Sequence, residues 1–408
     1  VRPAIVVVVD YAHISGGAEK VALVSARALA DRGYPVTVFA AAGPIDPNLL
    51  RKPEVNVVTV YERYSYHDLP RLARRTQGAW NKDSEAAFDR LLGATDPERT
   101  IVHFHSFRDQ LTSSVFAPLR GTRHRVVLTV HDYGLACPIS GFYDFRRQAI
   151  CPLRGGSLAC LCRNCILARP EFKWWYFWKH RLLVKRARVP DRVDRYLFVS
   201  EFARRHLVDY LPSATPQEVL DNPIEIERAP LREFPSGSRF TFLGRLTDEK
   251  DPLTFAVAAK QVGVTPVFVG SGPLEARIAE ANPDSELTGW VDPMQVRGRL
   301  AEARALVFPS RWYEAQPLSV LEALATGLPC IVSDASAARE MVADGIDGRI
   351  FRAGDSEDLA TKLRELSGDP VAERMGRAAY DRYWANPLTI ERHIDRLEAI
   401  YGDMMGNG

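Results

Sequence analysis

Residues 4–9 read AIVVVV, with no polar position until Asp10. A β-branched run without alternation predicts a strand buried on both faces. After a short loop, Val21, Val24, Ala28 and Leu29 recur at helical spacing up to about Arg32, so one face of that helix is apolar. Gly33 ends it, and residues 35–40 predict the next strand. The same alternation returns at 100–104, 126–130 and 196–199. After the Pro-punctuated stretch 222–236 it starts afresh at 240–243, 266–269, 305–308, 330–332 and 349–351.

Strands that alternate with helices imply parallel sheets covered on both faces, here two of them, and so an α/β protein. The expected division is a first domain over 1–221, a linker over 222–236 and a second domain over 237–385. The segment 386–408 carries one more helical pattern, about 387–401. It follows the last strand of the second sheet and is free to pack back on the first domain.

Composition narrows the class. The 408 residues are 46% hydrophobic and 25% charged, enough for two or three domains with large cores. A net charge of +2 is too small to point to nucleic acid. No stretch approaches the ~18–20 apolar residues of a membrane span, and the run at 4–9 is too short for a signal peptide. The expectation is a cytoplasmic protein, with peripheral contact at the inner membrane surface left open and no nucleic-acid partner.

Candidate chemistry concentrates between Ala305 and Val332. A strand ends at Phe308, a loop leads to Pro317, and a helix is expected from Pro317 to about Ala325. Its start lies at the C-terminal end of a parallel strand, where open α/β sheets bind ligands, and its free N–H groups and dipole suit an anion. Glu314 and Glu322 flank that start. Carboxylates repel phosphate but accept from hydroxyls, so the pair suits a molecule with both, such as a sugar nucleotide. Arg245 and Lys250, in the loop after the strand 240–243, supply cations that could neutralise a diphosphate and the charge that grows on it as it leaves. Gly16 and Gly17 follow the first strand and would let the backbone approach a ligand. They do not form Gly-x-Gly-x-x-Gly, so a dehydrogenase fingerprint is missing. Taken singly, each of these features also suits an ordinary solvated loop or tight turn.

Five motifs in order along the chain resemble family-4 retaining glycosyltransferases of the GT-B fold. They are Gly16-Gly17-Ala18-Glu19, His131-Asp132, Gly244-Arg245 with Lys250, Gly270-Ser271-Gly272-Pro273-Leu274, and Glu314 with Glu322 separated by seven residues. The resemblance implies two Rossmann-like domains facing each other across a cleft, the first on the acceptor side and the second on the donor side. It also implies retaining transfer of a sugar from a nucleoside-diphosphate sugar to a hydroxyl acceptor: a glycan, a lipid-linked sugar or a small molecule. In that scheme Arg245 and Lys250 hold the diphosphate, Glu322 the ribose, and Glu314 and His131 the transferred sugar. The backbone around Gln316, Pro317 and Leu318 serves the sugar and phosphate, with Gly16 and Gly17 opposite. Gly244, Gly270, Gly272, Pro273, Leu274, Trp290 and Val291 border the donor. The commonest form of the family has Gly-Phe-Gly where Ala315-Gln316-Pro317 stands, which leaves the sugar open. With no Asp-x-Asp pair in the sequence, no catalytic metal or other cofactor is expected. An epimerase of the same fold and a non-catalytic nucleotide-sugar-binding protein are the alternatives.

Two stretches lie outside this scheme. Five of the six cysteines fall within 29 residues, and the two-residue gap between Cys162 and Cys165 suits a zinc knuckle. Cys137 and Cys151 would complete four thiolates, leaving Cys160 spare; free or otherwise paired thiols are the alternative. Residues 169–188 read RPEFKWWYFWKHRLLVKRAR, with seven Lys or Arg, one acid and six aromatics. That mixture fits a helix lying at a membrane surface, or a packed helix whose cations point to water.

Overall fold

A computed structural model describes residues 2–62, 69–234, 237 and 239–406. Residues 235 and 236 of the expected linker and the last two residues lie outside them. The first sheet contains β1 (Ala4–Tyr11), β2 (Val36–Ala42), β3 (Val55–Tyr61), β4 (Thr100–Phe104) and β5 (Arg125–Val130). A small antiparallel hairpin, β6 (Tyr143–Asp144) and β7 (Ala149–Ile150), precedes its last strands, β8 (Arg195–Phe198) and β9 (Gln217–Val219). The order is β3-β2-β1-β4-β5-β8-β9, and every pairing is parallel. Val7, for example, faces Val38 on one side and His103 on the other.

The second sheet holds β10 (Arg239–Leu243), β11 (Thr265–Val269), β12 (Glu286–Leu287), β13 (Ala305–Phe308), β14 (Cys330–Ser333) and β15 (Gly348–Phe351), ordered β12-β11-β10-β13-β14-β15. In both sheets the winding reverses beside the first strand, as in doubly wound nucleotide-binding folds. The strand runs read from the sequence are all present. The strands it missed in the two sheets, β3, β9 and β12, are all edge strands. β3 is half-exposed along most of its length, and the other two span three and two residues. Edge strands need no unbroken apolar run, so the main sequence signal is weak there.

Burial on both faces is visible in β1: Val6 and Val8 enter one core and Ile5, Val7 and Val9 the other. Each such side chain contributes about 1.5–3 kcal/mol. The helix Ile390–Met404 inserts Ile394, Leu397, Ile400 and Tyr401 into this second core, under the first sheet. The Tyr401 hydroxyl lies 2.6 Å from Nδ1 of His103 on β4. Ion pairs from Arg32 to Asp395 and Glu398 and from Arg195 to Asp403 tie the helix down. In the other direction, Tyr313 of the second half packs among Tyr133, Phe142, Phe202 and His206 of the first.

Candidate active site

The loops that leave β1 and β4 face those that leave the second sheet across a cavity of about 700 Å³. Asp10, Gly17, Glu19, His105, Asp109 and His131 line it from the first half, and Glu314, Ala315, Gln316 and Leu318 from the second. Two helices begin at this cavity, Gly17–Asp31 and Leu318–Ala325, and neither start carries a side-chain cap. Their first N–H groups are therefore open to a ligand, and the two dipoles favour negative charge between them. The approach is close: a Cβ on Gly17 would lie 3.7 Å from Leu318 Cδ1. Further in, Lys20 and Glu322 bridge the same helices at 2.9 Å. Pro317, expected as the first helical residue, stands one place earlier as the cap, with ψ at 111°. Its missing N–H is harmless in either place.

On the second-half wall, Glu314 Oε1 accepts from Lys250 Nζ, from Trp312 Nε1 at 2.6 Å and from Ser310 Oγ at 3.2 Å. Burial pushes the Glu314 carboxyl up, but Lys250 and the two neutral donors outweigh it and hold it below its ordinary value. Lys250 is thus seated within three residues of Pro317. Arg245 points outward instead: its side chain is 70% exposed, with Glu249 at 3.7 Å.

The Gly-Ser-Gly turn has a packing role. A Cβ on Gly270 would fall 2.0 Å from the Gly244 carbonyl, and one on Gly272 2.5 Å from that of Leu246. Leu274 is buried in the second-half core, whereas Pro273 is exposed. Trp290, 74% exposed, and half-buried Val291 stay outside the cavity lining. The Gln316 side chain is committed to the segment that follows β9, donating to Asp221 at 2.8 Å and accepting from the Asn222 N–H at 2.6 Å. Its backbone remains at the cavity.

The first-half wall is chemically different. His131 Nε2 lies 3.1 Å from His105 Nδ1, and the rings stack at 5.3 Å. Burial, with His393 adding to it, pushes His131 down to about 3, so its ring is neutral near pH 7 and can donate to or accept from a hydroxyl. Asp10 accepts from the amides of Asp109, Gln110 and Leu111 at 2.8–2.9 Å. Burial and the adjacent Asp109 carboxylate nevertheless push it up to about 7. Glu19 accepts from Ser106 Oγ at 2.6 Å, and Ser106 Oγ in turn accepts from the Asp10 amide. The sequence reading singled out none of Asp10, His105 or Asp109. Only Asp10 left a signal, as the acid that ends a long apolar strand.

The expected zinc set is not assembled. Among the described residues no group of three or more His, Cys, Asp or Glu could hold a metal ion. Cys162 is exposed, while Cys160, expected to be spare, is buried with Cys137 and Cys165; Cys151 is half-buried. Cys160 and Cys162 sit two residues apart on the helix Leu158–Cys162, about 200° around its axis, so only one can face inward. Lys173, 2% exposed, donates to Cys160 Sγ at 3.6 Å. Its ammonium already supplies the positive charge beside those thiols. None of the described helices is long and apolar enough to cross a membrane.

The family described as Glycosyltransferase Family 4 matches residues 15–228, and that described as Glycosyl transferases group 1 matches 237–369. An Escherichia coli relative, UDP-Gal:alpha-D-GlcNAc-diphosphoundecaprenol alpha-1,3-galactosyltransferase, is 31% identical over 182 residues, 41% of this chain. The match spans 46% of that relative's length. In fold, the chain is similar to sucrose-phosphate synthase from Thermosynechococcus elongatus, with a TM-score of 0.73 at 17% identity over 100% of both chains. It is also similar to HepE of Anabaena, solved in complex with UDP, with a TM-score of 0.67 at 14% identity over 98% of this chain and 100% of that one. These likenesses show a GT-B arrangement of two α/β domains.

Proposed function

The chain belongs to glycosyltransferase family 4, and from that premise we propose that it moves a sugar from a nucleoside-diphosphate sugar to a hydroxyl acceptor, with retention and without a catalytic metal. One observation carries the reading: two uncapped helix starts, at Gly17 and Leu318, meet across the cavity, with Lys250 held on the Glu314 carboxylate that lines it. That is a site for a dianionic bridge. The diphosphate sits between the helix starts. Lys250 turns from Glu314 towards it, and Arg245 swings in from solvent. Both then stabilise the charge that builds on the leaving phosphate, which is the task a divalent cation would otherwise perform.

Freed from Lys250, Glu314 accepts from a hydroxyl of the sugar, and Trp312 and Ser310 keep it in place. Neutral His131 bonds the sugar from the opposite wall. Glu322 exchanges Lys20 for the ribose hydroxyls, and Trp290 and Val291, with the Gly270–Leu274 turn, border the base. Residues 1–221 form the acceptor side and 237–385 the donor side, joined by 222–236, with 386–408 returning to the acceptor side. Retention follows from front-side attack by the acceptor hydroxyl, whose proton passes to the departing phosphate. The names of the E. coli relative and of the Anabaena complex both contain UDP, so uridine donors are the first to test.

The deciding experiment incubates the protein with a panel of nucleotide sugars and follows nucleoside diphosphate release with and without acceptor hydroxyls, in chelator. NMR of the product reads the anomeric configuration. Release that depends on an acceptor, with the donor's anomer kept, supports the proposal. A free sugar formed without acceptor points to an epimerase or hydrolase, and binding without turnover to a non-catalytic protein.

A further inference from the structure

Ten large hydrophobic side chains are exposed among the described residues, and six of them lie between Leu158 and Trp178. Four stand on one helix, Pro170–Arg181: Phe172, Trp174, Tyr176 and Trp178, exposed by 41%, 60%, 38% and 59%. Its inward face is defined by Lys173 and His180, both buried. Trp174, Trp178 and Arg181 follow at i, i+4 and i+7, a single outward stripe, and Lys185 lies in the wider turn that continues the helix. Arg181 and Lys185 are exposed and have no ion-pair partner among the described residues. Arg169 is 84% exposed, and the helix's one acid, Glu171, lies 3.9 Å from it. Exposed Arg75, on the neighbouring helix Arg71–Ala79, stands over the Phe172 ring at 5.9 Å.

We propose that this face docks on an anionic phospholipid bilayer. Three observations select that occupant. Two exposed indoles, Trp174 and Trp178, stand one turn apart on the outward stripe, an apolar surface of the kind that marks an interaction site. Its large side chains are indoles, which suit the headgroup boundary better than a dry protein interface. Its two charges without an ion-pair partner among the described residues, Arg181 and Lys185, are both positive and match lipid phosphates, while exposed Glu171 lies beside Arg169. The opposite edge of the same helix enters the catalytic cavity, where Trp175, Tyr176 and Lys179 form part of the wall. Docking therefore places that wall one helix diameter, ~10 Å, from the headgroup layer. The inference goes beyond the transfer reading and stands without it, because vesicle binding requires no turnover.

The test is flotation of the full chain with vesicles of phosphatidylcholine containing phosphatidylglycerol, against pure phosphatidylcholine, at low and high salt. The expected result is binding to the anionic vesicles alone, weakened by salt. Arg181→Glu with Lys185→Glu should lower the partition coefficient more than tenfold, since each cation near such a surface contributes about fivefold. Trp174→Ser with Trp178→Ser should abolish flotation and the blue shift of tryptophan emission on vesicle addition. Unchanged melting temperatures and unchanged donor turnover with a water-soluble acceptor establish that both variants fold. Failure of the wild-type chain to float, or equal flotation of both variants, overturns the proposal. So does a stoichiometric dimer that the tryptophan variant dissolves, since the face would then be a subunit interface.

Discussion

The two walls of the cavity handle buried polarity in opposite ways. On the first half, His131 and Asp10 are both driven towards their neutral forms, to about 3 and about 7. On the second half, charge is kept by pairing: Glu314 is held below its ordinary value by Lys250, Trp312 and Ser310, and the Arg245 side chain lies in solvent. A neutral imidazole and hydrogen-bonded carboxyls suit polyhydroxylated sugar. Cations and uncapped helix starts suit pyrophosphate. In the proposed site each wall also reaches across: the Gly17 helix start brings the first wall to the diphosphate, and Glu314 brings the second to the sugar.

The strongest challenge to that contrast is Lys250→Ala. It should lower turnover about a hundredfold to a thousandfold, measured as nucleoside diphosphate release, because it removes a cation aimed at developing charge. It should also cost up to about 3 kcal/mol of stability, because Glu314 is left enclosed without its partner. Arg245→Ala should reduce turnover with no change in melting temperature. If both variants turn over at the wild-type rate, the charged wall is not the phosphate wall.

On the neutral wall the expected effects are smaller. His131→Ala should lower kcat/KM about tenfold, the value of one well-placed hydrogen bond. The pH profile should keep its shape, since a ring that titrates near 3 contributes no limb in the neutral range. A limb near the ordinary histidine value that the variant removes would show His131 to be charged.

Asp10 predicts a stability effect of definite sign. A carboxyl raised in the folded state contributes stability in full below its unfolded value of 3.8 and loses it as pH rises through about 7. Between those limits the wild type should lose stability relative to Asp10→Asn, read as the difference in their melting temperatures across a pH series. A flat difference would return Asp10 to the charged class.

The smallest effect concerns the bridge between the two helices. Lys20 and Glu322 are 29% and 31% exposed, so Lys20→Ala should cost less than about 1 kcal/mol. Glu322→Ala should instead raise the donor KM while changing melting temperature equally little.

Much of the fold was legible because strands buried on both faces must be apolar without interruption. Residues 4–9, 240–243 and 305–308 carry that requirement openly. Edge strands do not, and β3, β9 and β12 were missed. For the site, the sequence marked Lys250, Glu314 and the glycines at 16 and 17 through local chemistry at strand ends. It gave no sign that Gly270 and Gly272 serve backbone packing, or that Leu274 belongs to a core. The zinc expectation failed for a similar reason. Cys162-x-x-Cys165 is a spacing, but which thiol faces inward is decided by the helix on which Cys160 and Cys162 sit.

By itself, then, the order of residues determined two parallel sheets and the cations and carboxylates available at their edges, because periodicity and strand-end chemistry are local. Only the folded chain decided that His105, His131, Asp10 and Asp109 share a wall, and that Gly17 meets Leu318. It also decided that Tyr313 and the helix ending at Met404 each lodge in the other half's core. Those pairings join residues more than 300 positions apart, as Arg32 and Glu398 are at 366, and no local pattern encodes which distant surfaces bury one another.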